Sequence, residues 1–451
     1  MEFPAATRRR RRWPLILTAL AAVVVLITAG AGIWWRYLGG AQSWARAHWT
    51  APHSSLLPSL QSHPVPGWKI NIAALGLPPG STFTTTDSGI PGPIIKSTTH
   101  RAYLIAGSAE PTPRWWLTGI DPDTGTRVFG PVDLGQTGTT PECFVNAGAV
   151  VCITDDFSQA AALVIDGDTG AVKYRGPTNI RTVSWMKPVA QQAGDFMLAA
   201  AKGRGIYGVG DHAETTWFVP GMGITSAINA DFGLEHSGTE ESGSTVMYAL
   251  RDGKPAITDF GSNADLTNID SFDGGFAGRF RTKTGHEYVQ LFDDTGKLIS
   301  DDRIAGTLAG ATGNVVTVQK TKSIAVYDTR GTQLFEIPDD TSNDPTLIGS
   351  TLWVGNENHT EYRPFNMRTG KAGEPCAIDL YHYIGTDGKV AINAPVDDDT
   401  AFLAQAYDLS TCTMAWSIPR PHGVRGRIMR LGDNLVRVSD DGTEVYSLVN
   451  H

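Results

Sequence analysis

At 451 residues, with 41% apolar and 18% charged residues, 50 Gly and 26 Pro, the chain has the composition of turn-rich β structure, which excludes disorder over most of its length. The formal net charge is -9, and setting aside Glu2 and the five arginines at 8–12 leaves 32 basic against 45 acidic residues. That surplus repels polyanions, so nucleic acid is not an expected partner.

In chain order, residues 1–12 end in five consecutive arginines, and residues 13–35 then run without a charge. About 20 apolar residues span the hydrocarbon core as a helix. The sequence therefore predicts a cytoplasmic tail (1–12), a transmembrane helix (13–35) and an extracytoplasmic remainder, oriented by the positive-inside rule, with Trp13, Trp34 and Trp35 at the interfaces. A cleaved signal peptide is the alternative, but its apolar core is usually about 7 to 15 residues. Residues 36–67 carry Trp44, Trp49 and four prolines with no apolar period, which reads as a juxtamembrane linker.

From residue 68 onward one unit repeats. Two short apolar runs flank Asp121-Pro-Asp-Thr-Gly125. Asp binds its own backbone there, and Gly supplies the positive φ of a tight β-connection. Copies follow around Gly170, Gly296, Gly331, Gly370 and Cys412, with fainter ones at Asp211 and Gly253. The column before the turn holds Ile120, Ile165, Leu250, Phe292, Tyr327, Phe365 and Tyr407. Neighbouring turns among these copies lie 45, 43, 35, 39 and 42 residues apart. Short strands at such a period are the mark of a β-propeller.

The apolar residue, Asp-x-x-Thr-Gly and an aromatic four residues on (Phe129, Tyr174, Phe335, Trp416) resemble the PQQ-like repeat of quinoprotein-type propellers. That resemblance implies an all-β propeller over residues 68–451, of a kind that includes quinoprotein dehydrogenases and non-enzymatic envelope proteins. Eight hairpins plus a split blade count to nine; because propellers usually have four to eight blades, the expectation is set at eight, with seven and nine open. The split blade joins the run from Trp68 to the strands at 427–449 and closes the ring, removing exposed edges.

Four cysteines in an exported chain are expected to pair. A turn at Ala147-Gly148 places Cys143 opposite Cys152 at the short spacing of a non-hydrogen-bonded pair. By elimination Cys376 and Cys412 join adjacent blades, two buried thiols being the alternative. The dehydrogenases of the PQQ-like group carry an adjacent Cys-Cys pair, which this chain lacks, so no quinone, other cofactor, metal or catalytic residue is expected. Acidic turns such as Asp121-Pro-Asp123 and Asp397-Asp-Asp399 read as turn chemistry, and the two histidine clusters, Tyr381-His-Tyr383 and His236 beside Glu235, as surface or core residues.

The expected role is a membrane-anchored interaction scaffold for cell-envelope proteins, with loops carrying the contacts. Candidate partner contacts are Arg114 and Trp115 on one loop, and Asp339, Asp340 and Asp344 on another. The alternative is a divergent quinone- or metal-dependent enzyme using the channel.

Overall fold

The computed structural model describes residues 40–450 apart from 53–55, 84–93, 98–100, 109–111, 157, 184–187, 224, 240–241, 258–263, 301, 339–344, 396–399 and 422–426. The expected span at 13–35 lies outside them, and among the described residues no helix is long and apolar enough to cross a membrane.

Nine antiparallel sheets follow one another along the chain. We number them as blades: one (81–136), two (142–178), three (189–220), four (225–257), five (264–305), six (307–338), seven (346–366), eight (383–419) and nine (428–449). The expectation of eight is thus corrected to nine, and the physical reason lies in blade three. Its turn, Gly210-Asp-His-Ala-Glu214, has no Thr-Gly, and Ala213 takes the left-handed position with φ 53. The repeat is complete in space where its sequence signal is weakest.

The first strand of each blade lies nearest the axis, where residues 264–272 touch 307–312 and residues 383–386 touch 428–431. Blade seven has three strands, and bridges from Tyr362 to Cys376 and from Phe365 to Ala372 fill its outer place. Blade nine takes its outermost strand from the other end of the chain. Val65–Asn71 pairs with Glu444–Val449 in the register Lys69 to Tyr446, Ile70 to Val445 and Asn71 to Glu444, so the ring closes as expected.

The repeat's aromatic column has a mechanical explanation. The turn glycines stand at positive φ without a Cβ, and at Gly125, Gly170, Gly253 and Gly370 a ring from the preceding blade lies against them, while Gly296 meets Ile257 instead. A Cβ on Gly125 (φ 67) would sit 2.3 Å from Trp68, on Gly170 2.6 Å from Phe129, and on Gly253 2.4 Å from Trp217. Apolar clusters fill the seams in the same way: Ile70, Val436 and Val445 of blade nine pack with Leu104, Trp116 and Ile120 of blade one. Each such side chain, fully buried, contributes about 1.5–3 kcal/mol.

Turns between first and second strands and between third and fourth strands share one face of the ring, here termed the hairpin face. Backbone bonds knit it together, among them Gly167 N to Gly148 O (3.0 Å) within blade two and Ala147 N to Asp195 O (2.8 Å) from blade two to three.

The segment before the closing strand is not the loose linker expected for 36–67. Helix α1 (Gly40–His48) packs on blade six. Ala45 and Trp49, the latter 4% exposed, are buried among Val315, Leu334, Leu352 and Phe365. The chain then crosses the hairpin face: Asn314 donates to Thr50 O (2.8 Å), Leu57 N to Thr386 O (2.8 Å), and Trp416 Nε1 to Leu60 O (2.6 Å). No internal period could show this, because its partners lie some 260 to 360 residues away in sequence.

At the seam between blades five and six, Glu287 accepts from Thr307 Oγ1 (2.6 Å), Arg279 (2.7 Å) and Arg281 (2.9 Å). The Thr307 hydroxyl, then Arg279, hold its carboxyl down from the ordinary 4.5 to about 2. A lowered carboxylate stabilises the fold fully above pH 4.5 and loses that contribution as pH falls toward 2. Glu287→Gln is expected to cost about 1–2 kcal/mol at neutral pH and to flatten the acid side of a Tm-against-pH curve. Parallel curves for variant and parent between pH 5 and about 2.5 would contradict this.

A recess on the axis and the candidate contact residues

The axial strands of four consecutive blades leave a recess of about 570 Å³. Blade six makes the room, because Ala309-Gly310-Ala311 on its first strand project almost nothing toward the axis. Asp270 from blade five and Thr346 from blade seven stand on either side, and Tyr381 and His382, entering blade eight, line the rest.

The entry to blade eight is held in place by Asp379, which accepts from Tyr381 N (2.8 Å) and from Asn393 Nδ2 (2.9 Å). Tyr381 remains 56% exposed and lies tilted against His359 of blade seven, centroids 4.5 Å apart, and edge-on to His382 at 4.6 Å. Next along, burial pushes the Tyr383 hydroxyl up to about 12, with Arg430 opposing, so it stays a neutral phenol at physiological pH. An aromatic shelf beside a carboxylate and a hydroxyl suits the binding of a polypeptide segment: rings give contact area at low entropic cost and the polar groups fix orientation. Among the described residues no three His, Cys, Asp or Glu side chains are grouped to hold a metal ion.

Of the candidate contacts, Arg114 sits at the start of Arg114–Ile120 and forms an ion pair with Asp133 on the adjacent strand, holding that carboxyl below its usual range. Trp115 is corrected from a loop contact to a core residue. It is 7% exposed, its Nε1 donates to Thr137 O (3.3 Å), and its ring lies against Gly107. A propeller blade is covered on both faces, so Trp115 and Trp116 point opposite ways and are both buried. Asp339, Asp340 and Asp344 lie outside the described residues, as do Asp397, Asp398 and Asp399.

The turn acids serve their own backbones. Asp121 accepts from Asp123 N (2.9 Å) and Thr124 N (3.0 Å), and Asp166 and Asp408 repeat the pattern. His236 bonds Thr245 (2.8 Å) within blade four, where burial lowers its pKa. The Tyr381 cluster singled out in the sequence borders the recess. Asp270, Thr346 and the Ala-Gly-Ala run were not marked, having no signal beyond a place on a blade's first strand.

Both disulfides are formed. Cys143 and Cys152 face each other across the first two strands of blade two, Cα atoms 4.0 Å apart, in the expected register. Cys376–Cys412 ties the outer edge of blade seven to the turn of blade eight, and Cys412 takes the left-handed position with φ 58. Loop-closure entropy scales with separation, 9 residues against 36. Removing the first bond is expected to cost about 2.7 kcal/mol and the second about 3.8 kcal/mol. Urea melts of Cys→Ala pairs measure both, and a smaller loss for the 376–412 pair would contradict the ordering.

Comparison with known proteins agrees with this architecture. A family model described as a conjugation-associated nine-bladed β-propeller domain matches residues 41–451, a span that takes in α1 and the segment after it. An uncharacterized protein of Mycolicibacterium smegmatis (strain MKD8) is 30% identical over 462 positions, covering 96% of each chain. Among solved structures, BamB from Moraxella catarrhalis is 13% identical over 86% of this chain and 98% of its own, with a TM-score of 0.38. The computationally designed Ika8 protein is 14% identical over 68% of this chain and 95% of its own, with a TM-score of 0.40. By its match over nearly the whole described chain and its nine blades, the protein belongs to the family of conjugation-associated nine-bladed β-propeller domains.

Proposed function

We propose that the protein is a membrane-anchored, extracytoplasmic docking ring for protein components of a conjugative transfer apparatus in the bacterial cell envelope. The family's association with conjugation supplies the process. The apolar run at 13–35, preceded by five arginines, supports a single-pass anchor with a cytoplasmic N-terminus. Two disulfides suit an oxidising compartment. The Asp-x-x-Thr-Gly repeat with its trailing aromatic supports kinship with PQQ-like propellers, and the lack of an adjacent Cys-Cys pair together with the apolar run favours their non-enzymatic, membrane-anchored branch.

The observation that carries the reading is the recess: four blades of a closed ring converge on an aromatic and polar pocket sized for a peptide segment. A donor strain lacking the protein is expected to lose conjugative transfer, and a photo-crosslinking residue at position 381 in native membranes to capture a component of the transfer apparatus. Normal transfer without the protein overturns the proposal.

A further inference from the structure

We infer that blades six to eight rest on the membrane surface through their hairpin face, with α1 and the segment after it as the contact, so that the ring stands tilted on a layer of anionic phospholipid headgroups. The inference builds on the proposed anchor and adds an orientation to it.

Reach sets the geometry. The apolar run ends at Trp35 and α1 begins at Gly40. Five extended steps cover at most roughly 18 Å, so Gly40 stays within that distance of the end of the span. Helix α1 is itself fixed on the ring, because Ala45 and Trp49 are buried at the seam of blades six and seven, and Arg46 donates to the carbonyl of Leu334. The part of the ring carrying α1 is therefore held near the bilayer.

The surface there has the composition of an interfacial contact. Trp44 is 44% exposed on α1 and Leu56 52% exposed beyond it. Tryptophan favours the headgroup layer, where its ring is half apolar and half wet. The guanidinium of Arg330 stands 6.0 Å from the Trp44 ring, and Leu56 lies beside the turn that carries Lys389.

Charge around the hairpin face is uneven in the direction this requires. Two residues past the turn acid, blades one and two carry Asp123 and Asp168, while blades six and seven carry Arg330 and Arg368. Blade seven also has Asn366 in place of the acid and Lys371 after its glycine. Blade three adds Asp211 and Glu214, and the first turn of blade nine Asp433, to the acidic half. Each basic residue near an anionic leaflet is worth about 1 kcal/mol, so such a surface draws in one side of this face and repels the other. Blades six to eight then touch the membrane and blades one to three lift away.

The test uses the full chain in vesicles of phosphatidylcholine, with and without phosphatidylglycerol, containing a headgroup-attached quencher. A fluorophore is placed at Leu56→Cys, and in a second protein at Glu357→Cys, an exposed site on the opposite turn of blade seven. Quenching several-fold stronger at 56 than at 357 is expected, and Arg368→Glu with Lys371→Glu should weaken it only when phosphatidylglycerol is present. Equal quenching at the two sites, or stronger quenching at 357, overturns the orientation. Quenching at 56 that is indifferent to the charge reversals overturns the headgroup contact. Failure of the anchor reads separately, as release of the protein from the vesicles by an alkaline wash.

Discussion

Removing residues 1–71 is expected to turn a monodisperse ring into an aggregating one, whereas removing 1–39 leaves it folded. The larger deletion takes away Val65–Asn71, the outermost strand of blade nine. Glu444–Val449 then becomes a bare edge whose unpaired N–H and C=O groups are a template for another chain. Ile70 leaves the cluster shared by blades nine and one, and the Trp68 ring leaves the turn at Gly125, so the seam that closes the circle loses its filling. Leu57 and Leu60, both buried against blades eight and nine, go with them. At about 1.5–3 kcal/mol for each large apolar side chain, these losses together match the 5–15 kcal/mol that holds most domains folded. A deletion of 1–64 separates the contributions: it loses the packed N-terminal segment and keeps the closing strand, and should remain monomeric with a lowered Tm. Light scattering after gel filtration reads the outcome, and a 1–71 deletion that stays monomeric near the parental Tm would show that closure is not what stabilises the ring.

Closure was legible in the sequence because two kinds of local chemistry mark it. Asp at the start of a turn bonds the two N–H groups that follow, and Gly takes a φ that other residues avoid, so Asp121 to Gly125 and Asp166 to Gly170 are written in the chain. The unpaired strand at Trp68 and the three strands at the far end then had only each other. Blade three is faint in the sequence because Ala213 adopts the same conformation without the glycine, though Trp217 still follows four residues on and lies against Gly253 as the column requires. The recess left no trace, since a pocket formed by one or two residues from each of four blades has no contiguous motif. In sequence a tryptophan beside an arginine and two prolines reads as a loop contact, and only the sheets on either side of Trp115 make it core.

Asp155→Ala is expected to destabilise the protein by about 3–5 kcal/mol, because it would leave a buried guanidinium without its partner. Asp155 ends the second strand of blade two, and Arg181 lies in the connection to blade three; their side chains are 5% and 6% exposed. The pairing is bidentate, with Arg181 Nε 2.7 Å from Oδ2 and its Nη2 on Oδ1, and Thr182 N donates to the same carboxylate at 3.3 Å. Backbone bonds from Arg181 N to Pro188 O (2.9 Å) and from Ala190 N to Arg181 O (2.8 Å) fix the arginine over blade three, so the pair acts as a clamp between neighbours. Burial, then repulsion from Asp155, raises the pKa of Glu142 on the adjacent strand, which marks the pocket as poorly solvated. The cost of the single change is therefore mostly the desolvated charge left behind, and removing both charges avoids it. Arg181→Met combined with Asp155→Leu should recover most of the loss, giving a double-mutant coupling above about 2 kcal/mol. Denaturant melts of the four proteins decide the matter: an Asp155→Ala protein within about 1 kcal/mol of the parent would mean that water reaches this seam and the pair is no more than a surface bridge.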